Sequence, residues 1–150
     1  MARLESLTAD LVGRRYPEFK FEITEGWLRD YKEALFFSPE EVADASFVPQ
    51  SFIACLRDAE FHVFEALGIS LSQLLHAAQK YEFVRDLRVS DHIVCRATLS
   101  SLKKKEGRAG AMAFLEITNE FYRELPSGGE ELCIRTGMTV VVRQPAGVSP

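Results

Sequence analysis

The chain has 150 residues, 47% hydrophobic, 11% aromatic and 27% charged, a composition with enough apolar surface to offset the conformational entropy of folding. Its 18 Lys and Arg against 22 Asp and Glu leave a formal charge of −4, which argues against a nucleic-acid binder held by a basic surface. No apolar run approaches the roughly 18 residues of a membrane span, and Arg3, Glu5 and Asp10 interrupt any secretory apolar stretch, so a cytoplasmic location is expected.

Gly and Pro punctuation divides the chain into a helical first half and a strand-rich second half without a linker, so one α+β domain over residues 1–150 is expected. Residues 19–23 read as a short extended piece. Thr24 is a plausible N-cap for an amphipathic helix carrying Trp27, Leu28, Tyr31, Ala34 and Leu35 and ending before Pro39. Within the kinked connection that follows, Pro39-Glu40-Glu41-Val42 reads as a short helix with Pro in its first turn. A helix over residues 51–67, apolar at Phe52, Cys55, Leu56, Ala59, Val63, Ala66 and Leu67, stops at Gly68. Residues 71–78 predict one more short helix.

From Tyr81 the apolar period becomes two. Strands are predicted from Tyr81 to Val89 with Arg85 as an interruption, through Ile93, Cys95, Ala97 and Leu99, through Ala113, Leu115, Ile117 and Phe121, and through Leu132, Ile134, Met138, Val140 and Val142. A turn is expected at residues 103–110, and Pro126-Ser127-Gly128-Gly129 joins the last hairpin. Loops too short for crossover helices make the sheet antiparallel, wrapped around a helix.

Several stretches carry a family resemblance: Leu11-Val12-Gly13-Arg14-Arg15-Tyr16, Trp27-Leu28-Arg29-Asp30-Tyr31, Val48-Pro49-Gln50-Ser51-Phe52, and Leu75 to Phe83 leading into Leu87-Arg88-Val89-Ser90-Asp91. In this order they resemble MaoC-like dehydratases, (R)-specific enoyl hydratases of the hot-dog fold, in which an antiparallel sheet wraps a long central helix. They are most similar to the N-terminal-type half found in paired (3R)-hydroxyacyl-ACP dehydratase subunits. The resemblance implies dehydration of a 3-hydroxyacyl thioester on coenzyme A or acyl carrier protein, or the reverse hydration, without a cofactor. In active members an Asp and a His of a Gly-Asp-x-Asn-Pro-x-His segment move the protons of a water.

With Pro39 as the anchor, that segment puts Phe36 at the Asp and Glu41 at the His. Phe36 carries no proton, and Glu41 could act only if burial raised its pKa, so no catalytic residue is assigned. The expectation is a non-catalytic half that shapes an acyl pocket, in a homodimer or beside a catalytic MaoC-like subunit. The alternatives are a hot-dog thioesterase using Glu41 or another carboxylate, and a non-enzymatic acyl-binding protein.

The candidate substrate-binding residues are Phe36, Phe37, Glu41, Pro49, Phe52 and His76. Phe36 and Phe37 wall an acyl tunnel or are plain core, Glu41 beside Glu40 reads as first-turn acidity of a helix, and His76 reads as a structural histidine at a strand entry. His62, His76 and His92 lack metal-ligand spacing, and the odd, scattered Cys55, Cys95 and Cys133 predict reduced, buried thiols. Lys103-Lys104-Lys105 with Arg108 forms a basic turn that either meets phosphates or an acidic carrier, or is simply solvated.

Overall fold

Alternating apolar and polar residues build four long strands, β2 (Leu74–Phe83), β3 (His92–Gly107), β4 (Gly110–Glu124) and β5 (Glu130–Arg143), with a short β1 (Phe19–Glu22) before them. In the computed structural model, which describes residues 4–107 and 110–143, these form one antiparallel sheet in the order β1-β3-β4-β5-β2. The register sets Leu99 against Ile117, Ile117 against Met138 and Leu115 against Val140, so the apolar series of three strands merge into one buried face. Burying each such side chain contributes about 1.5–3 kcal/mol, which makes this face the main source of stability.

Helix α3 (Asp58–Ala66) covers that face, packing Ala59, Val63 and Phe64 inward against β3 and β4. Ahead of it, a 3-10 helix over Gln50–Cys55 buries Phe52 and Ile53 in the same core. The two are not the continuous helix predicted over residues 51–67. At Leu56 and Arg57 the backbone leaves helical geometry (φ −97°, ψ 62° and φ −108°, ψ 4°), which lets Phe52, Ile53, Leu56, Ala59 and Val63 all reach the core.

Helix α1 (Glu25–Ala34) starts as predicted, with the Thr24 hydroxyl accepting the Trp27 N–H at 3.2 Å. Helix α2 (Pro39–Ala43) is the expected short helix with Pro in its first turn. At 10 residues α1 is the longest helix among the described residues, so the central helix is not a long one: α3 has 9.

Residues 71–78 are not a helix. Ser70 caps a 3-10 turn at Leu71–Gln73, and strand β2 begins at Leu74, directly opposite Val142. A short apolar run does not distinguish helix from strand, and here the ladder to β5 decides. The strand predicted over residues 81–89 is correspondingly early and ends at Phe83, because the N–H groups of Val84 and Arg85 both turn onto the Cys133 carbonyl, at 2.8 and 3.0 Å. The turn expected at residues 103–110 is also shorter, since β3 and β4 stay paired out to Gly107 and Gly110. Arg108 lies outside the described residues.

The outer face of the sheet is polar and laced with ion pairs. Arg96 meets Glu18 and Glu130, each at 2.6 Å, and Arg135 meets Glu82 at 2.9 Å and Glu120 at 3.1 Å. The Arg96 guanidinium holds the Glu130 carboxyl below its ordinary value of 4.5. A carboxyl whose pKa is lowered by folding stabilises the fold above its unfolded value and loses that contribution as pH falls through the lowered one. Arg96→Ala is therefore expected to cost under about 1 kcal/mol at pH 7 and less at pH 3, whereas Leu115→Ala costs about 2–5 kcal/mol at either pH, as read by urea unfolding.

Candidate functional site

The stretch carrying three of the six candidate residues, Phe36, Phe37 and Glu41, is fixed in place by a buried cation. Lys32, on α1 and fully buried, donates from Nζ to the carbonyls of Glu41 at 2.9 Å and Asp44 at 2.6 Å, with the ammonium 5.2 Å from the Phe47 ring centre. These carbonyls lie at the C-terminal end of α2, where the helix dipole favours positive charge. The α1–α2 turn is thereby tied at both ends.

Within that turn Phe36 adopts left-handed backbone geometry (φ 59°) and is 95% exposed. A bulky side chain held out in that conformation carries strain that burial among the described residues does not repay. Phe37 is half-buried, its N–H bonded to the Lys32 carbonyl at 3.1 Å. Glu41 is exposed and occupied: its Oε2 accepts the Ser38 N–H at 2.9 Å while the Ser38 hydroxyl accepts the Glu41 N–H at 3.3 Å. This reciprocal capping box closes the N-terminus of α2 and matches the reading of Glu41 as first-turn acidity.

The other candidates sit apart from this turn. Phe52 is plain core, fully buried and edge-on to Trp27 and Tyr31 at centroid distances of 4.8 and 5.1 Å. Pro49 is buried and lines a slot of about 10 Å³ with Val48, Phe83, Leu87 and Ile134, room for about one water. His76 is exposed on β2, opposite Val140, with Nε2 3.1 Å from the Gln79 side-chain oxygen. Its partner is thus a side-chain amide rather than backbone, and no carboxylate orients it.

Two polar constellations escaped the sequence reading. The first is buried beneath α3: Glu60 Oε1 accepts from Asn119 Nδ2 at 2.8 Å, Arg57 Nε donates to Glu60 Oε2 at 2.7 Å, and Asn119 Nδ2 also reaches Thr136 Oγ1 at 3.3 Å. Arg57, Glu60 and Thr136 line a second water-sized slot of about 10 Å³ with Gln79 and Tyr81 of β2. Its signal was present in the sequence, because Asn119 interrupts the apolar alternation of Leu115, Ile117 and Phe121 and Glu60 falls on the apolar side of α3. The second is a surface groove of about 710 Å³ at the end of β4 opposite Gly110, lined by Arg85, Arg88, Asp91, His92, Arg123 and Glu131 among others. There Arg123 pairs with Asp91 at 2.8 Å and with Glu131 at 3.1 Å, and Arg85 with Glu131 at 3.3 Å. Arg85, Arg88 and Arg123 come from three separate parts of the sequence pattern, so only the fold assembles them.

The thiols are tuned towards inertness. Burial, and then the carboxylates of Glu60 and Asp58, push Cys95 up to about 12, and burial also raises Cys55 and Cys133. Cys95 and Cys133 are buried as expected, whereas Cys55 is exposed. No group of three or more metal-ligating side chains occurs among the described residues.

A five-stranded antiparallel sheet closed over a central helix is the hot-dog fold of the MaoC-like dehydratases. The chain belongs to the FAS1-like dehydratase domain region family, whose profile matches residues 10–125. A UPF0336 protein of Streptomyces coelicolor is 26% identical, the match covering 79% of this chain and 86% of that protein. Among solved structures, a chain of the C-terminally truncated HadBC (3R-hydroxyacyl-ACP dehydratase) complex from Mycobacterium tuberculosis superposes with a TM-score of 0.66 at 20% identity, over 90% of this chain and 99% of that one. A MaoC-like dehydratase from Rhodospirillum rubrum gives 0.64 at 18% identity, over 95% and 97%. Hot-dog proteins of other chemistry share the fold as well, including a 4-hydroxybenzoyl-CoA thioesterase with a TM-score of 0.61 at 13% identity.

Two measurements check this geometry. Ser38→Ala is expected to lower stability by about 1 kcal/mol through loss of the cap, while Glu41→Gln, which keeps an oxygen for the Ser38 N–H, stays within about 0.5 kcal/mol of the parent in urea unfolding. Alkylation of the native protein at pH 8 is expected to label Cys55 alone; mass spectrometry that finds Cys95 modified before unfolding contradicts the buried thiol.

Proposed function

We propose that the chain is the non-catalytic, acyl-binding half of a 3-hydroxyacyl-thioester dehydratase, working beside a subunit that supplies the Asp and His. The observation that carries this reading is the state of the two positions where active members of the family place those groups. Phe36 has nothing to ionise, and the Glu41 carboxylate is spent on the Ser38 N–H in an exposed cap. A general base needs its proton-accepting atom free to face the substrate, and Glu41 lacks that freedom. The same engagement counts against a thioesterase that relies on Glu41.

Pairing is supported by the free edge of the sheet. Strand β2 bonds β5 on one side only, and the exposed side chains of Leu75, Tyr81, Phe83 and Val84 lie on or just beyond it. A long apolar edge strand left uncovered is a template for association, and Tyr81 and Phe83 stack at 6.2 Å as a ready anchor. The exposed Phe36, whose strain burial among the described residues does not repay, fits a role as a wall of an acyl channel completed by the partner. Heteromeric relatives are consistent with this: the HadBC complex is one.

The purified chain is expected not to hydrate crotonyl-CoA, and to support hydration once mixed with a catalytic subunit of the same family. In that mixture Phe36→Ala is expected to alter preference for acyl chain length, whereas Glu41→Gln leaves kcat unchanged. Turnover by the chain alone, abolished in Glu41→Gln, overturns the reading.

A further inference from the structure

We infer that the projecting end of the β3–β4 hairpin, with the neighbouring end of β5, is a docking surface for an acidic carrier protein that delivers the acyl thioester. This rests on the dehydratase-subunit reading and goes beyond it by naming how substrate arrives. Ion pairing is uneven along the outer face of the sheet. Towards one end the outward cations of the strands form ion pairs: Arg96 with Glu18 and Glu130, Arg135 with Glu82 and Glu120, and Lys20 with Glu124 at 2.6 Å. At the hairpin end Lys103, Lys104, Lys105 and Arg143 are exposed and form no ion pair among the described residues, in a chain whose net charge is −4.

Register places these cations together. Lys103 lies opposite Phe114, while Lys105 and Arg143 flank Met112 from either side, so Lys103, Lys105 and Arg143 share the outer face across three adjacent strands. Lys104, opposite the core residue Ala113, points to the other side of the hairpin. Two strand spacings and two residue steps make this patch roughly 10 Å by 7 Å, the footprint of one helix face with carboxylates about a turn apart. Half-buried Met112 and Phe114 lie among the cations, with the Lys105 ammonium 5.1 Å from the Phe114 ring centre. An acidic helix with an apolar residue between its carboxylates complements both features, whereas a free phosphate would leave the apolar pair unused. Glu106 and Glu116 are the acidic residues of β3 and β4 nearest the patch, and neither pairs with a lysine. Along β5 Arg143 is five residue steps from Met138, roughly 17 Å, and Met138 contacts Arg57 beside the Glu60 slot. A carrier docked here sits next to the covered face of the sheet rather than over it.

Unscreened cations that meet an acidic partner chiefly speed encounter and make it salt-dependent. The test is biolayer interferometry of the full chain, in the assembly in which it purifies, against crotonyl-loaded acyl carrier protein, with crotonyl-pantetheine binding measured in parallel. Lys103→Glu with Lys105→Glu is expected to weaken carrier binding at least about tenfold and flatten its salt dependence while leaving crotonyl-pantetheine binding unchanged. Lys103→Ala, a single exposed change, gives a smaller loss in the same direction and serves if the double variant unfolds. Equal carrier binding by parent and variants overturns the proposal. So does crotonyl-pantetheine binding without carrier binding, which leaves the dehydratase reading intact, and so does preferential binding of phosphatidylglycerol vesicles over the carrier. If neither carrier nor pantetheine thioester binds, the dehydratase reading fails and this proposal falls with it.

Discussion

Everything in this structure follows from the need to cover one apolar sheet face. Ile93 to Leu99, Ala113 to Phe121 and Ile134 to Val142 supply a continuous buried surface, and among the described residues there is no second sheet to pack on it. Helix α3 and the 3-10 helix before it close that face, and their break at Leu56 and Arg57 is the adjustment that lets both fit. The break also starts α3 at the point where Arg57, Glu60, Asn119 and Thr136 form a polar knot inside the core. A buried carboxylate there is tolerated because a guanidinium and an amide both donate to it.

A second constraint holds the candidate turn. Lys32 has no carboxylate within the core; it is satisfied by main-chain carbonyls of α2 and by the Phe47 ring, so its role is to fix one short helix against another. The turn from Phe36 to Glu41 is thereby held between two short helices, with the Ser38–Glu41 capping box closing the second.

The sheet divides its labour by face and by edge. Its inner face is stability, its β2 edge is open and apolar, and its outer face changes from closed ion-pair ladders to unmatched cations along its length. Surface ion pairs add little stability individually, so the ladders matter more as neutralisation: they leave the hairpin end as the place where net positive charge is displayed.

Much of this was legible from the chain. Period-two alternation after residue 91 determined three of the strands and their inward residues, and short loops determined that they run antiparallel. Thr24 and Pro39 marked two helix starts through cap chemistry that is local to a few residues. The absence of ionisable chemistry at Phe36 was also a property of the sequence alone. Tertiary structure decided the rest, because those features depend on partners distant in the chain. Leu74 to Ala78 became strand because β5 offered a ladder, and residues 51–67 split because a concave face had to be filled. Phe52 moved from pocket wall to core through Trp27 and Tyr31. Local propensity and periodicity set which element a segment can form; which side chains meet, and so which remain free for chemistry, is set by packing between segments tens of residues apart.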